Sequence, residues 1–116
     1  MNGTLLIVED NAKMRNLIKE LFAPIFKNIY ECDDGSKALE SYAVNKPEWV
    51  FMDLKMKEMD GIGATKEIIR NFPDAKILVV TDFDDDELRK AAARNGAIDY
   101  VLKENLDEIF KIINKQ

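Results

Sequence analysis

Side chains able to do chemistry stand directly after four short apolar runs of the sequence. In chain order, these side chains belong to Glu9, Asp10, Asp53, Thr81 and Lys103. A short apolar run between helix-breaking residues is typical of a buried parallel strand. In an open α/β sheet, the carboxyl ends of the strands form the edge at which ligands bind. The sequence therefore predicts a site at one edge of a sheet, where these five side chains meet.

Three carboxylates in this group predict a bound divalent cation. Carboxylates a few ångströms apart cannot all stay ionised unless positive charge lies among them. A small set of oxygen ligands favours Mg²⁺, which keeps several of its waters and can share an oxygen of a bound phosphoryl group. We therefore expect Glu9, Asp10 and Asp53 to lie around Mg²⁺, with the ammonium group of Lys103 as a second, movable positive charge.

Phosphoryl transfer onto Asp53 is the simplest reaction for such a site. A carboxylate can act as a covalent nucleophile, and a metal ion with an ammonium group can neutralise the charge of the transferred group. The chain contains no His. None is needed as a general base, because a carboxylate is already an anion at neutral pH. The hydroxyl of Thr81 could then donate a hydrogen bond to one phosphoryl oxygen.

Five apolar runs alternate with five segments of helical spacing, and these elements must position the site. The predicted strands cover residues 5–8, 29–32, 49–52, 76–80 and 98–102. Apolar residues at helical spacing predict helices over 14–22, 38–43, 61–72, 88–92 and 106–113, the third of which begins at Gly61. Strict alternation favours a parallel sheet with helices on both faces. With the strand order 2-1-3-4-5 of flavodoxin-like, doubly wound (βα)5 proteins, the crevice of this α/β fold lies between Asp10 and Asp53.

The composition limits what the chain can do. Its 116 residues suit one compact domain, residues 1–116, that buries a core without disulfides. Twenty-two acidic residues against seventeen basic ones give a net charge of −5, which disfavours direct nucleic-acid binding by this domain. No segment approaches the ~20 apolar residues of a membrane helix, so we expect no membrane partner. A single Cys excludes an intrachain disulfide and agrees with a cytoplasmic location.

Several of these segments together resemble the response-regulator receiver domain of two-component signalling. The segments that carry the resemblance are Glu9-Asp10-Asn11, Asp34-Gly35, Met52-Asp53-Leu54-Lys55-Met56, Met59-Asp60-Gly61, Thr81, Gly96-Ala97 and Tyr100-Val101-Leu102-Lys103. Each motif alone is weakly specific, but their order and their places at the predicted strand ends are specific together. The resemblance extends from the first predicted strand to the last helix.

The resemblance implies a phosphorylation-dependent signalling switch. In such a switch, Asp53 is the phosphoacceptor, and the donor is a histidine kinase or a histidine phosphotransfer protein. Asp10 would bind Mg²⁺ directly and Glu9 mostly through water, while the backbone carbonyl of Lys55 would complete the protein ligands. The domain would support its own phosphotransfer and autodephosphorylation without being an enzyme in the usual sense.

The resemblance also implies how the signal leaves the site. Thr81 and Lys103 would hold the phosphoryl group, and Tyr100 would swing inward when Thr81 moves. The changed surface would be the fourth helix, fifth strand and fifth helix, which would regulate a downstream output protein or domain. A homodimer formed through this surface on phosphorylation is a further expectation, which sedimentation with and without a phosphodonor would test.

Two residues depart from the receiver pattern. Lys57 stands where the family usually has Pro, which predicts a less rigid loop after Asp53. Glu104 follows Lys103 where many members have Pro, often after a cis bond, so the resemblance leaves the geometry of that loop open. Neither departure removes a chemical group from the predicted site.

Plainer interpretations and other functions compete with this hypothesis. Glu9 and Asp10 could cap the first helix, Thr81 could cap the fourth, and Lys103 could be a solvated charge. A Mg²⁺-dependent phosphohydrolase could use an Asp nucleophile, but haloacid-dehalogenase-like phosphatases carry it in an Asp-x-Asp pattern after the first strand. A flavodoxin-like carrier would need a hydroxyl-rich and Gly-rich loop there. A receiver used as a constitutive interaction module stays open, as does membership of a longer regulator with a DNA-binding domain.

Overall fold

A computed structural model describes residues 3–56 and 59–115. The strands are β1 Thr4–Val8, β2 Asn28–Cys32, β3 Trp49–Met52, β4 Ile77–Thr81 and β5 Asp99–Leu102. The helices are α1 Ala12–Phe22, α2 Ala38–Asn45, α3 Gly61–Asn71, α4 Asp86–Arg94 and α5 Glu108–Lys115. All strand pairs are parallel and their order is β2-β1-β3-β4-β5, which confirms the predicted flavodoxin-like α/β fold. None of the helices in the described ranges has the length and apolar character needed to cross a bilayer.

Several element boundaries differ from the prediction by a few residues, and two of these differences adjoin Thr81 and Lys103. β4 ends at Thr81 rather than one residue earlier, because Thr81 pairs with Leu102 of β5. The last helix begins at Glu108, not at residue 106, because the chain first makes a 3-10 turn over Lys103–Asn105. Leu106 follows that turn and is buried against the core, so it shares the apolar spacing of the helix without belonging to it.

Helices α1 and α5 cover one face of the sheet. Alternate residues of a strand point to opposite faces, and Leu5 and Ile7 of β1 pack on this side. The ring centroid of Phe22 in α1 lies 5.1 Å from that of Phe51 in β3 and 4.6 Å from that of Phe110 in α5. These aromatic contacts hold both helices against the strands whose ends carry the predicted carboxylates.

Helices α2, α3 and α4 cover the other face. Leu6 and Val8 of β1 point to this side together with Val50 and Met52 of β3. The central strands are therefore buried on both faces, which explains why they are continuous apolar runs rather than alternating ones. In contrast, Leu17 of α1 follows the helical spacing but is 43% exposed, so this spacing predicts the helix correctly without predicting burial.

Capping side chains begin the helices that follow β1, β3 and β4. Asn11, Asp60 and Asp85 each accept a hydrogen bond from the backbone N–H three residues further on, at 3.0, 2.7 and 2.9 Å. Such caps satisfy backbone donors that have no partner within the helix. Helix α4 ends before Gly96, whose φ of +104° is the left-handed conformation that often follows a helix end. The caps fix where each helix leaves the carboxyl edge of the sheet.

Candidate functional site

Asp53 lies at the carboxyl end of β3, in the centre of the sheet. Its backbone N–H donates to the carbonyl of Val8 at 2.9 Å, which continues the pairing of β1 and β3 by one residue. Its Oδ1 accepts a hydrogen bond from the N–H of Leu54, also at 2.9 Å. Asp53 is only 5% exposed, so it is not a surface acid that happens to end a strand.

Glu9 and Asp10 follow β1 at the same edge. Glu9 is 2% exposed, whereas Asp10 is exposed. The Oε2 atom of Glu9 accepts the N–H of Asn11 at 3.1 Å, and Nη1 of Arg15 donates to the Glu9 carbonyl at 2.8 Å. Asn11 is the N-cap of α1, and Glu9 binds the backbone N–H of that cap residue, so its place at the start of the helix is compatible with metal binding.

The carboxylates of Glu9, Asp10 and Asp53 come together as the sequence predicts. One oxygen from each lies within 4.8 Å of the others. Nζ of Lys103 lies 2.7 Å from Glu9 and 3.4 Å from Asp53, and its side chain is 10% exposed. Lys103 is therefore a buried counter-charge rather than a solvated one. An all-oxygen donor set of this kind fits Mg²⁺.

Burial sets the protonation behaviour of the site. Loss of hydration raises the pKa of Asp53 to about 7, with the charge of Glu9 adding to the rise and Lys103 offsetting part of it. Burial alone would lower the pKa of Lys103, but its hydrogen bond to Glu9 and the charge of Asp53 raise that pKa overall. One ammonium thus stays charged among three carboxylates, an imbalance that a divalent cation would correct.

Thr81 and Tyr100 contact the backbone N–H and the backbone carbonyl of the same residue, Phe83, in the loop after β4. Thr81 is fully buried, and its Oγ1 accepts the N–H of Phe83 at 3.2 Å. The hydroxyl of Tyr100 donates to the Phe83 carbonyl at 2.6 Å, and Tyr100 is 9% exposed. Since Asp85 caps α4, the interpretation of Thr81 as its cap is wrong. The Tyr100 ring is already turned inward in this structure.

Replacing Tyr100 by Phe removes the hydrogen bond to the Phe83 carbonyl and so tests what that bond contributes to stability. The ring keeps its packing, but a buried acceptor loses its donor, so we expect the free energy of unfolding to fall by about 1 kcal/mol. Urea denaturation would measure the change, with Tyr30→Phe as the control because Tyr30 is 42% exposed on β2. Equal stabilities of wild type and Tyr100→Phe would contradict the expected contribution of this bond.

Sequence reasoning missed Arg89 and the backbone of Phe83. The guanidinium of Arg89 stacks over the Tyr100 ring at 4.4 Å from its centroid. A backbone carbonyl leaves no trace in a sequence pattern. The only sequence feature that could have identified Arg89 was its position one turn into α4, the helix that precedes β5.

The sequence also made predictions for three residues in the loops around the site, Lys55, Lys57 and Glu104. Nζ of Lys55 lies 5.8 Å from the centroid of the Phe83 ring, and the predicted ligand role of the Lys55 carbonyl stays a prediction. Glu104 lies in the 3-10 turn that follows β5. The prediction for Lys57 falls outside the described residues.

Comparison with known proteins identifies the family. The sequence model of the protein family described as the response regulator receiver domain matches residues 5–114 of this chain. This chain belongs to that family. The receiver domain is 35% identical over 117 residues to the chemotaxis protein CheY of Bacillus subtilis, covering 99% of this chain and 98% of CheY. It is 31% identical over 102 residues to the transcriptional regulatory protein DegU of Brevibacillus brevis, covering 86% of this chain but only 43% of DegU.

Solved structures agree with this assignment. A DNA-binding response regulator of the LuxR family from Staphylococcus aureus superposes with a TM-score of 0.87 at 29% identity, covering 97% of this chain and 96% of that one. A LuxR-family response regulator from Aurantimonas gives 0.85 at 26% identity, covering 95% and 83%. The predicted family and fold are thus confirmed.

Membership of the family also gives the general class of function. Receiver domains are the phosphoacceptor switches of two-component signalling rather than enzymes in the usual sense. They bind Mg²⁺ at an acidic pocket, and the group of Glu9, Asp10 and Asp53 is compatible with that property. They interact with histidine kinases and with output domains or partners.

Proposed function

We propose that this receiver domain, residues 1–116, accepts a phosphoryl group on Asp53 from a histidine kinase or a histidine phosphotransfer protein. The observation that carries the proposal is the placement of Asp53. It is buried, it shares a 4.8 Å cluster with Glu9 and Asp10, and it lies 3.4 Å from the ammonium of Lys103. A nucleophile, a set of metal ligands and a movable cation therefore meet at one edge of the sheet.

The proposed Mg²⁺ ligands are Glu9, Asp10, Asp53 and the backbone carbonyl of Lys55. The oxygen-only chemistry of this set and the 4.8 Å cluster of its three carboxylates support this assignment. When bound, the ion supplies positive charge to the phosphoryl oxygens during transfer. Lys103 now pairs with Glu9 and Asp53, and it can turn its ammonium toward a phosphoryl oxygen once Asp53 is modified.

The proposed reaction exchanges one bond to phosphorus for another. A carboxylate oxygen of Asp53 bonds to phosphorus while the bond from phosphorus to the donor histidine nitrogen breaks, and that nitrogen keeps the electron pair. The bond from the Leu54 N–H to Oδ1 orients the carboxylate. In autodephosphorylation, a water oxygen would bond to phosphorus while the bond from phosphorus to the Asp53 oxygen breaks, which would release inorganic phosphate and return the free carboxylate.

The proposed switch begins at Thr81. Its oxygen accepts the N–H of Phe83, and the same hydroxyl keeps its own hydrogen to donate to a phosphoryl oxygen. Movement of Thr81 toward that oxygen would pull on the backbone of Phe83, whose carbonyl accepts the hydrogen bond from Tyr100. Arg89 of α4 stacks on the Tyr100 ring, so a shift at Thr81 would reach both α4 and β5.

Two hydrogen bonds to a phosphoryl group have an energy of the size that such a switch requires. A phosphoryl group adds about −1.5 to −2 units of charge. Hydrogen bonds to charged groups contribute roughly 1.5–3 kcal/mol each, and inverting a 1:99 equilibrium takes about 5.5 kcal/mol. Bonds from Thr81 and Lys103 to the phosphoryl group, made only in the active arrangement, would supply much of that energy. The α4-β5-α5 surface would then regulate an output protein or domain.

Intact mass measurement with a small phosphodonor tests the phosphoacceptor assignment. With Mg²⁺ and acetyl phosphate, we expect wild type to gain one phosphoryl group and Asp53→Ala to gain none. Asp74→Ala is a matched control, because Asp74 is an exposed acid before β4, at the opposite edge of the sheet. It should label like wild type, and a chelator should stop labelling of both.

Two results would contradict the proposal. Labelling that survives Asp53→Ala would place the phosphoryl group elsewhere. Sustained hydrolysis of a small aryl phosphate over many turnovers would instead favour the phosphohydrolase that the sequence left as an alternative.

A further inference from the structure

A fourth carboxylate stands at the mouth of the phosphoacceptor site. Asp82 directly follows Thr81, and its Oδ2 lies 3.8 Å from Nζ of Lys103. The side chain of Asp82 is 72% exposed, whereas Glu9 and Asp53, the other partners of this ammonium within residues 3–56 and 59–115, have side chains that are 2% and 6% exposed. Asp82 therefore occupies the solvent side of Lys103.

Lys103 does not cancel the charge of Asp82. The same ammonium lies closer to Glu9, at 2.7 Å, and to Asp53, at 3.4 Å. One positive charge is thus shared among three carboxylates, and Asp82 is the most distant of them. With Mg²⁺ bound, the ion and Lys103 supply three positive charges against four negative ones from Glu9, Asp10, Asp53 and Asp82, so a group that approaches Asp53 from solvent meets net negative charge at the mouth.

The negative charge of Asp82 repels or attracts a phosphodonor according to the charge that the donor itself carries. Any donor must bring its phosphoryl group beside Lys103, and so within a few ångströms of Asp82. A free acyl phosphate arrives as a dianion and is repelled. A donor that carries positive charge next to its phosphoryl group, on a protonated nitrogen or a neighbouring basic side chain, offsets that repulsion.

We propose that Asp82 is a specificity-determining residue that selects against free dianionic phosphodonors. The proposal rests on Asp53 being the phosphoacceptor. It also names the chemistry of the preferred partner, which is a phosphohistidine-bearing protein surface with a basic side chain facing Asp82. For a unit charge at an exposed position, the discrimination against a dianion amounts to roughly three- to tenfold in rate.

Two small phosphodonors transfer the same phosphoryl group but differ in net charge. Acetyl phosphate transfers its phosphoryl group to the Asp53 oxygen as its phosphorus–oxygen bond breaks, and acetate leaves with the electron pair. Phosphoramidate transfers the same group as its phosphorus–nitrogen bond breaks, and ammonia leaves with the electron pair. Near neutral pH the nitrogen of phosphoramidate is protonated, so this donor carries one more positive charge than acetyl phosphate.

The test compares second-order labelling rate constants for both donors at saturating Mg²⁺ and low ionic strength. We expect Asp82→Asn, which keeps the shape of the side chain, to speed labelling by acetyl phosphate roughly three- to tenfold. Labelling by phosphoramidate, whose net charge is −1 rather than −2, should rise by only about the square root of that factor, and the gain with acetyl phosphate should shrink as salt is added. Asp84→Asn is the matched control, because Asp84 is 73% exposed in the same loop and pairs with Arg89 instead.

Four other results of this comparison would overturn either the role of Asp82 or the phosphoacceptor function. No rise with acetyl phosphate, or an equal rise with both donors, would overturn the selective role of Asp82. An equal rise in Asp84→Asn would assign the effect to overall charge and overturn it as well. Absence of labelling of wild type by both donors would instead overturn the phosphoacceptor function. Thermal melts of the variants would confirm that they are folded, as expected for exposed positions.

Discussion

Asp53→Asn should stabilise the metal-free protein by about 2–4 kcal/mol at pH 8. Burial and the charge of Glu9 raise the pKa of Asp53 to about 7, so the ionised carboxylate costs free energy in the folded state. Asn keeps the oxygen that accepts the Leu54 N–H and removes the charge. A site arranged for a cation and a phosphoryl group is therefore expected to reduce the stability of the domain that holds it.

The pH dependence of this gain follows from the raised pKa. Between about pH 4 and 7, folded Asp53 keeps a proton that the unfolded chain releases, so the stability of wild type falls as pH rises through that window. The advantage of Asp53→Asn should be negligible below pH 4, grow up to pH 7 and stay constant above it. Urea denaturation at several pH values would measure it. Excess Mg²⁺ should stabilise wild type more than the variant, and an advantage that does not depend on pH would contradict the account.

Gly61→Ala should destabilise the protein by about 3 kcal/mol or more. A Cβ at Gly61 would lie 2.0 Å from the carbonyl oxygen of Asp53 and 2.8 Å from Cα of Leu54. Both atoms belong to the backbone, so neither can rotate away. The loop after β3 must then shift, and the carboxylate of Asp53 must move with it. Thermal or urea unfolding would measure the loss of stability.

Gly63→Ala provides the matched control for Gly61→Ala. It lies in the same helix, but a Cβ there would make only ordinary contacts, 3.4 Å from Oδ1 of Asp60 and from Cγ of Met59. Replacing Gly by Ala within a helix normally stabilises it by roughly 0.5–1 kcal/mol. Equal stability of the two variants would show that the approach of α3 to Asp53 is not as close as described.

Much of this fold could be predicted because its strands are buried on both faces. Such strands are continuous apolar runs, and the five runs were located to within one residue at each end. The acid, hydroxyl and amino residues that end these runs were identified for the same reason. Parallel strands present their carboxyl ends at one edge, so the position of Asp53 in the sequence already predicted its place in the fold.

Some errors came from features that a one-dimensional pattern does not contain. Leu106 fits the spacing of the last helix but precedes it, because a core residue can be buried from a turn as well as from a helix. Leu17 fits the spacing of α1 and is exposed. Helical spacing reports which residues share a side of the chain, whereas burial depends on what packs against that side.

The sequence by itself determined the alternation of strands and helices, the edge at which the chemistry gathers and the residue types of the site. Local propensity and the period of apolar residues suffice for these properties. Only the tertiary structure decided that Glu9 is buried while Asp10 is exposed, that Asp82 faces Lys103, and that the Phe83 backbone connects Thr81 to Tyr100. These features depend on distances of a few ångströms between distant segments, which packing and strand register set.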